Sequence, residues 1–310
     1  MGLMRTAFLA GSRSTWLRKR AMRYPFVRRS VSRFMPGETL DDALEAARLL
    51  QEKGMSSVLT QLGENIKDAA EAEGVRRHYL DVMDHAAARG LDAQISVKPT
   101  QLGLDLDREL CLGHLTALLE RAETHGTFVW IDMESSDYVD ATLDLFRRAR
   151  ARSTRVGVCL QAYLRRTPAD VEALLPLRPA LRLVKGAYQE PSDRALPGKR
   201  DVDEAYFALA RRMLGAEGPG AAEVLAIGTH DRRLIERLRA VVAERRLPSS
   251  AYEFEMLYGI QRALQARLVA EGQRLRVLIS YGAYWFPWYM RRLAERPANV
   301  GFVVRNVFSR

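Results

Sequence analysis

The run Leu181-Arg182-Leu183-Val184-Lys185-Gly186-Ala187-Tyr188 opens as an apolar, β-rich segment and closes on a lysine, a glycine and a tyrosine. Side chains alternate across a strand, so Arg182 and Val184 face one way and Leu183 and Lys185 the other. If the Arg182 face is the inside of a closed sheet, the guanidinium lies deep and needs an anionic or acceptor partner. Asp132 and Glu134, at the end of an earlier apolar run, can supply one. A purely structural ion pair satisfies the same requirement, and the residues alone leave both readings open.

Seven more runs of this kind surround it: Ser57–Gly63, Ala93–Lys98, Phe128–Glu134, Val156–Tyr163, Val224–His230, Tyr252–Leu257 and Leu275–Ser280. Amphipathic stretches such as Ala69–Arg89 and Leu115–Thr124 separate them. Eight strands alternating with helices predict parallel strands with crossover connections. Eight also closes a barrel of this size, with a doubly wound open sheet as the alternative. Most runs finish on polar or ionisable residues: Gln61 and Glu64, Lys98, Asp132 and Glu134, Gln161 and Tyr163, Lys185 and Tyr188, Thr229 and His230, Glu255. Strand C-termini converge on the active mouth of a barrel, so this pattern favours one. The expected class is α/β, a (βα)₈ TIM-type barrel with an N-terminal helical extension. Residues 1–38 form the basic extension and residues 39–310 the catalytic barrel. Thr39, after Pro36-Gly37-Glu38, is placed to cap a helix carrying Leu40, Ala43, Leu44, Ala47 and Leu50, which Gly54 ends. Gly218-Pro219-Gly220 marks a loop.

At 310 residues and 47% apolar, the chain can bury one large core. Its two cysteines, Cys111 and Cys159, lie far apart, so neither a disulfide framework nor a zinc site is indicated. No window approaches a membrane span, and the N-terminus lacks the apolar core of a secretory signal. A cytoplasmic location is expected. The formal net charge is +10, and nine basic residues precede the first acid, Glu38. Three readings compete for this leader: a solvated basic helix, a peripheral contact at the inner face of the membrane, and nucleic-acid binding. The last is weakest, because no recognition motif accompanies the charge.

Familiar cofactor motifs are absent. Gly218-Pro219-Gly220 follows a helix rather than a strand and lacks the third glycine of a dinucleotide fingerprint. No P-loop or HExxH occurs. His78 and His85 are better explained as exposed or core-satisfied histidines than as metal ligands, and His114 and His125 flank a helix without further meaning. In Tyr289-Met290-Arg291-Arg292-Leu293-Ala294-Glu295-Arg296-Pro297, adjacent arginines at a helix start can grip one carboxylate or phosphate. In so arginine-rich a chain, coincidence explains the pair as well. Lys98, before Pro99, fits an anion contact, a Schiff-base lysine or a snorkelling surface side chain.

Several segments together resemble the monofunctional, FAD-dependent proline dehydrogenase family: Arg33 to Thr39, Ser96-Val97-Lys98-Pro99, Ile131-Asp132-Met133-Glu134, Leu160 to Thr167, Arg182 to Tyr188, Gly228-Thr229-His230-Asp231, Tyr252 to Gly259 and Tyr289 to Asn299. They occur in family order. The resemblance implies a (βα)₈ barrel with non-covalent FAD at its mouth. It also implies oxidation of L-proline to Δ¹-pyrroline-5-carboxylate, by hydride transfer from substrate C5 to flavin N5, with electrons passed to a quinone. Arg182 would then contact the flavin, and Asp132 would support the polar network. Met133, Gln161, Lys185, Gly186, Ala187, Thr229 and His230 would hold FAD. Lys98, Arg291 and Arg292 would hold the substrate carboxylate, and Tyr188 and Leu257 would wall the ring pocket. Fixing the carboxylate orients the substrate for hydride transfer, and a cation near the ring favours reduced flavin.

There is one departure. Where the family carries a tyrosine in the eighth strand, this chain has Leu278, and Trp288 stands at a second aromatic position. Alternatives are a dehydrogenase of another cyclic imino acid such as hydroxyproline, a lysine-dependent aldolase using Lys98 or Lys185 on the same barrel, and a non-enzymatic basic binding protein.

Overall fold

Thr39 starts the first helix. Its hydroxyl accepts from the Asp42 N–H at 3.2 Å, and the Asp42 carboxylate accepts from the Thr39 N–H at 3.0 Å. This reciprocal capping box satisfies two donors that the first turn would otherwise leave open. Helix α1 (Leu40–Gln51) follows, burying Ala43, Leu44, Ala46, Ala47 and Leu50 along one face. It ends three residues before Gly54, whose φ of +74° suits glycine.

This is a computed structural model, which describes residues 33–63, 66–215 and 220–285. After α1 the order is β1 (Ser56–Gln61), α2 (Ala69–Ala88), β2 (Ala93–Val97), α3 (Arg108–His125), β3 (Val129–Ile131), α4 (Val139–Arg150), β4 (Val156–Gln161), α5 (Thr167–Leu174), β5 (Ala180–Val184), α6 (Lys199–Met213), β6 (Val224–Gly228), α7 (Arg232–Glu244), β7 (Tyr252–Leu257), α8 (Arg262–Ala270) and β8 (Leu275–Tyr281). The strands form one closed parallel barrel. β8 returns onto β1 in a register running from Ser56 opposite Arg276 to Gln61 opposite Tyr281. Closure excludes the open doubly wound sheet.

Several boundaries differ from the sequence expectation. The ladders stop short of the polar residues, so Lys98, Asp132, Tyr163, Lys185 and Thr229 follow the last paired residue and stand where the chain turns over the mouth. Helix α3 begins seven residues before Leu115, capped by Asp107, whose carboxylate accepts from the Leu110 N–H at 2.7 Å. His114 therefore lies inside α3, buried, instead of flanking it. Of the expected extension, Arg33 to Glu38 are described and pack on the barrel: Met35 is buried, and Trp285 Nε1 donates to Glu38 at 2.8 Å. The rest of the leader lies outside the described residues.

A large apolar core fills the space between sheet and helices. A smaller one, built on Val58, Trp130, Ala180 and Ala226, fills the barrel interior. Trp130 fits because position 157 is glycine: a Cβ there would stand 2.4 Å from the indole. Buried ion pairs occupy part of the interior too. On β7, Tyr252, Phe254 and Met256 face the helices while Glu253 and Glu255 face inward, as strand alternation requires. Near the N-terminal end of the strands, buried Arg276 donates through Nε to Glu253 at 2.9 Å and through Nη1 to Asp92 at 3.0 Å. Breaking a buried pair costs more than the pair is worth, because it strands a charge. Arg276→Leu should therefore lower unfolding stability by about 3 kcal/mol. Adding Glu253→Leu should restore much of that loss in the urea midpoint. A single variant with wild-type stability would show that this layer contributes nothing.

Candidate active site

Arg182, on β5, is 2% exposed and faces inward. Its Nη1 donates to Ser96 Oγ at 2.8 Å and to Asp132 Oδ1 at 3.1 Å. Nη2 donates to Glu255 Oε1 at 3.2 Å, and Nε lies 2.5 Å from Glu255 Oε2. The Ser96 hydroxyl also donates to Asp132, at 2.7 Å. The guanidinium carbon sits 4.5 Å from the centre of the Trp130 ring, within cation–π range. Burial opposes the Arg182 charge, but Glu255 and Asp132 outweigh it and raise its pKa above the ordinary value. Burial pushes the Glu255 carboxyl up, against the pull of Arg182.

Of the two partners expected for Arg182, Asp132 is one. Glu134 is not: it accepts from the Thr100 N–H at 3.1 Å and the Thr100 hydroxyl at 2.8 Å. It lies two residues past Asp132 and is buried against Thr100 instead.

Arg182 and Glu255 border a cavity of about 700 Å³ at the C-terminal ends of β5 to β8. Lys185, Gly186, Ala187, Thr229, His230 and Leu257, all expected at the site, share its wall. Leu278 does too. Two glycines shape this wall: a Cβ on Gly186 would meet the Tyr163 ring at 2.3 Å, and one on Gly228 would stand 2.9 Å from the Leu183 carbonyl. His230 Nε2 accepts from the Leu257 N–H at 2.9 Å, so in the neutral ring the proton sits on Nδ1. The Lys185 ammonium donates to Asp203 and, at 2.8 Å, to Asp231; Lys199 also pairs with Asp203. The Lys185 ammonium is thus paired with two carboxylates.

Met133 and Gln161 lie at the ends of β3 and β4. Gln161 Nε2 donates to the Met133 carbonyl at 3.4 Å and the Glu134 carbonyl at 3.2 Å, and its buried Oε1 has no partner. Lys98, directly after β2, and Tyr188, beyond β5, are half-buried. The loop after β5 is stitched down: Leu196 N–H donates to the Tyr163 carbonyl at 2.8 Å, Leu164 bridges Ala195, and Glu190 accepts from the Ser136 N–H at 2.7 Å. Arg291, Arg292 and Trp288 lie outside the described residues.

Tyr281 does not replace the phenol missing at Leu278. Tyr281 is three residues on, so it faces the opposite side of β8, and its hydroxyl meets His78 Nε2 at 2.8 Å. His78 is accordingly a core-satisfied histidine. Tyr284 is 62% exposed.

The sequence marked Glu255 only as a polar strand end, and it gave Trp130, Asp203 and Asp231 no role. A signal for Glu255 existed: Glu253 and Glu255 share the β7 face opposite the apolar one, matching inward arginines on β5 and β8. Nothing local marked Asp203, on α6.

A closed (βα)₈ barrel with ionisable groups and a cavity gathered at the strand C-termini is the arrangement of barrel enzymes. Comparison with known proteins narrows the class. The proline dehydrogenase family profile matches residues 43–305. The chain is 37% identical over 308 residues to proline dehydrogenase 1 of Bacillus subtilis subsp. natto, covering 99% of this chain and 100% of that one. It is 36% identical over 282 residues to the proline dehydrogenase of Deinococcus radiodurans, covering 89% of each. Among solved structures, proline utilization A (PutA) from Bdellovibrio bacteriovorus, inactivated by N-propargylglycine, matches with a TM-score of 0.81 at 22% identity, covering 94% of this chain and 36% of that chain. The chain belongs to the proline dehydrogenase family.

The lysine–aspartate cluster should make the wall acid-sensitive. Burial alone would raise Asp203 and Asp231, but hydrogen bonds from Lys185, with Lys199 adjacent, hold both below the ordinary value. A depressed carboxylate contributes stability above its unfolded pKa of about 3.9, and that contribution is lost as pH falls through the folded value. Unfolding stability should thus drop more steeply below about pH 4 in the wild type than in Asp203→Asn. Parallel curves would dissociate this cluster from acid sensitivity.

Proposed function

We propose that this enzyme oxidises L-proline to Δ¹-pyrroline-5-carboxylate with FAD bound non-covalently at the barrel mouth, and that it passes the electrons to a quinone. The observation that carries this is the shared cavity: Arg182 borders it together with Lys185, Gly186, Ala187, Thr229 and His230, in a chain of this family. FAD, when bound, supplies the acceptor for the hydride leaving the substrate. The residues present fit such a cofactor. Gly186 and Gly228 keep backbone at the cavity wall, Gln161 offers a buried acceptor without a partner, and Lys185 and Lys199 place cations at the rim.

The chain's own groups divide the work. Asp132, directly and through Ser96, holds Arg182 in place beside the ring. Met133 and Gln161 complete the cofactor seat from β3 and β4. Lys98, Arg291 and Arg292 bind the substrate carboxylate, and Tyr188 and Leu257 wall the ring pocket. The relatives named above are proline dehydrogenases, so a hydroxyproline dehydrogenase or an aldolase is not favoured.

Acid treatment of the purified protein should release a flavin that chromatographs as FAD. Arg291→Ala and Arg292→Ala should each weaken proline binding by about 1.5–3 kcal/mol, the worth of one charge-assisted contact, without loss of fold. Colourless protein that cannot be reconstituted removes the flavin assignment, and unchanged proline affinity in both variants removes the carboxylate assignment.

A lipid-soluble acceptor is met at a bilayer surface, and no helix among the described residues is long and apolar enough to cross one. We assign that contact to the basic leader, where each cation near anionic lipid is worth up to about 1 kcal/mol. Leu3, Phe8, Leu9, Trp16, Leu17 and Met22 lie beside those cations. Flotation with anionic vesicles should weaken with salt and drop on deletion of residues 1–30. Equal recovery of both proteins in the soluble fraction at low salt sinks the assignment.

A further inference from the structure

Two carboxylates, not one, hold the Arg182 guanidinium, and they approach from different sides. Asp132 and Ser96 take Nη1, Glu255 Oε1 accepts from Nη2, and Glu255 Oε2 lies 2.5 Å from Nε without a hydrogen bond from it. Hydrogen bonds on both terminal nitrogens, Nη1 from one side and Nη2 from the other, fix the plane of the guanidinium as well as its position. Glu255 is well placed to do this. It sits on β7, in register with Gly228 of β6 and Arg276 of β8, so its backbone is held from both sides. It is 4% exposed, which leaves little water to compete, and it lines the cavity.

Charge adds a second effect. With Arg182, Asp132 and Glu255 ionised, the trio carries one negative charge in excess. Arg276 below is matched separately by Glu253 and Asp92. Any group seated above Arg182 therefore meets a guanidinium whose field is overcompensated at close range. In a site from which water is excluded, that field is little screened.

We propose that Glu255 is a positioning residue for the oxidation, fixing the plane of the Arg182 guanidinium at the mouth and holding down the reduction potential of the cofactor beside it. This rests on the assignment of a flavin to the same cavity. Glu255 acts through Arg182.

The test compares Glu255→Gln and Glu255→Asp in flavin-loaded, full-length protein, with the flavin potential read spectroscopically against a reference dye. Glu255→Gln keeps the volume and an acceptor but removes the charge. Its equilibrium constant for flavin reduction should rise about tenfold, a positive shift of about 30 mV for a two-electron couple. Glu255→Asp keeps the charge and draws it back by one methylene. It should hold a near wild-type potential while kcat falls and KM for proline does not. A wild-type potential in Glu255→Gln, or the same shift in both variants, overturns the proposal. If Glu255→Gln does not fold by circular dichroism, Glu255→Asp decides alone, and a wild-type kcat there overturns it. Colourless wild-type protein fails the flavin assignment and takes this proposal with it, whereas yellow protein with unshifted variants fails only the proposal.

Discussion

A guanidinium inside a barrel is the constraint on which this mouth depends. Arg182 is almost wholly removed from water. Its desolvation must be met by partners of opposite charge, because an unpaired buried cation costs several kcal/mol. That requirement selects the residues around it. Asp132 must follow β3 at the height where Arg182 ends, Ser96 must stand between them, and an acid on β7 must close the opposite edge. The Trp130 face below supplies a negative quadrupole to the same cation. Strand register delivers all of these to one point.

The barrel's polarity divides labour along its axis. At the N-terminal end, Arg276, Glu253 and Asp92 neutralise one another. At the C-terminal end, Arg182 and Glu255 are paired yet border open volume. The same chemistry is structural where it is closed in and available for function where it faces a cavity. The two readings that the sequence left open for Arg182 are therefore not exclusive: the ion pair exists, and it is part of the cavity wall.

The barrel itself was legible in the sequence, because eight β-rich runs separated by helical periodicity admit few alternatives. The Thr39 cap was legible for a local reason, the helical periodicity that begins at Leu40; its partner Asp42 was not. Asp132 was found because strand ends converge. Other features depend on which side chains tertiary packing brings together. Glu134 and Asp132 are two residues apart and equally acidic, and only the turn after β3 sends one to Arg182 and the other to Thr100. Asp203 reaches Lys185 from a helix eighteen residues later, a pairing with no periodic signature. Tyr281 was given no direction in the sequence, and its partner His78, on α2, carried no signal either.

Gly157 and Trp130 have a consequence for how this barrel can change over time. One indole occupies the volume that a β4 side chain would otherwise fill, and Cβ and ring cannot coexist there. Their substitution histories should be linked: a larger residue at 157 becomes tolerable only after the tryptophan has shrunk, and a smaller residue at 130 leaves a void until 157 grows. A smaller residue at 130 also withdraws the surface on which the Arg182 guanidinium rests. Drift at a buried glycine on one strand is thus tied, through one ring, to the group at the centre of the mouth.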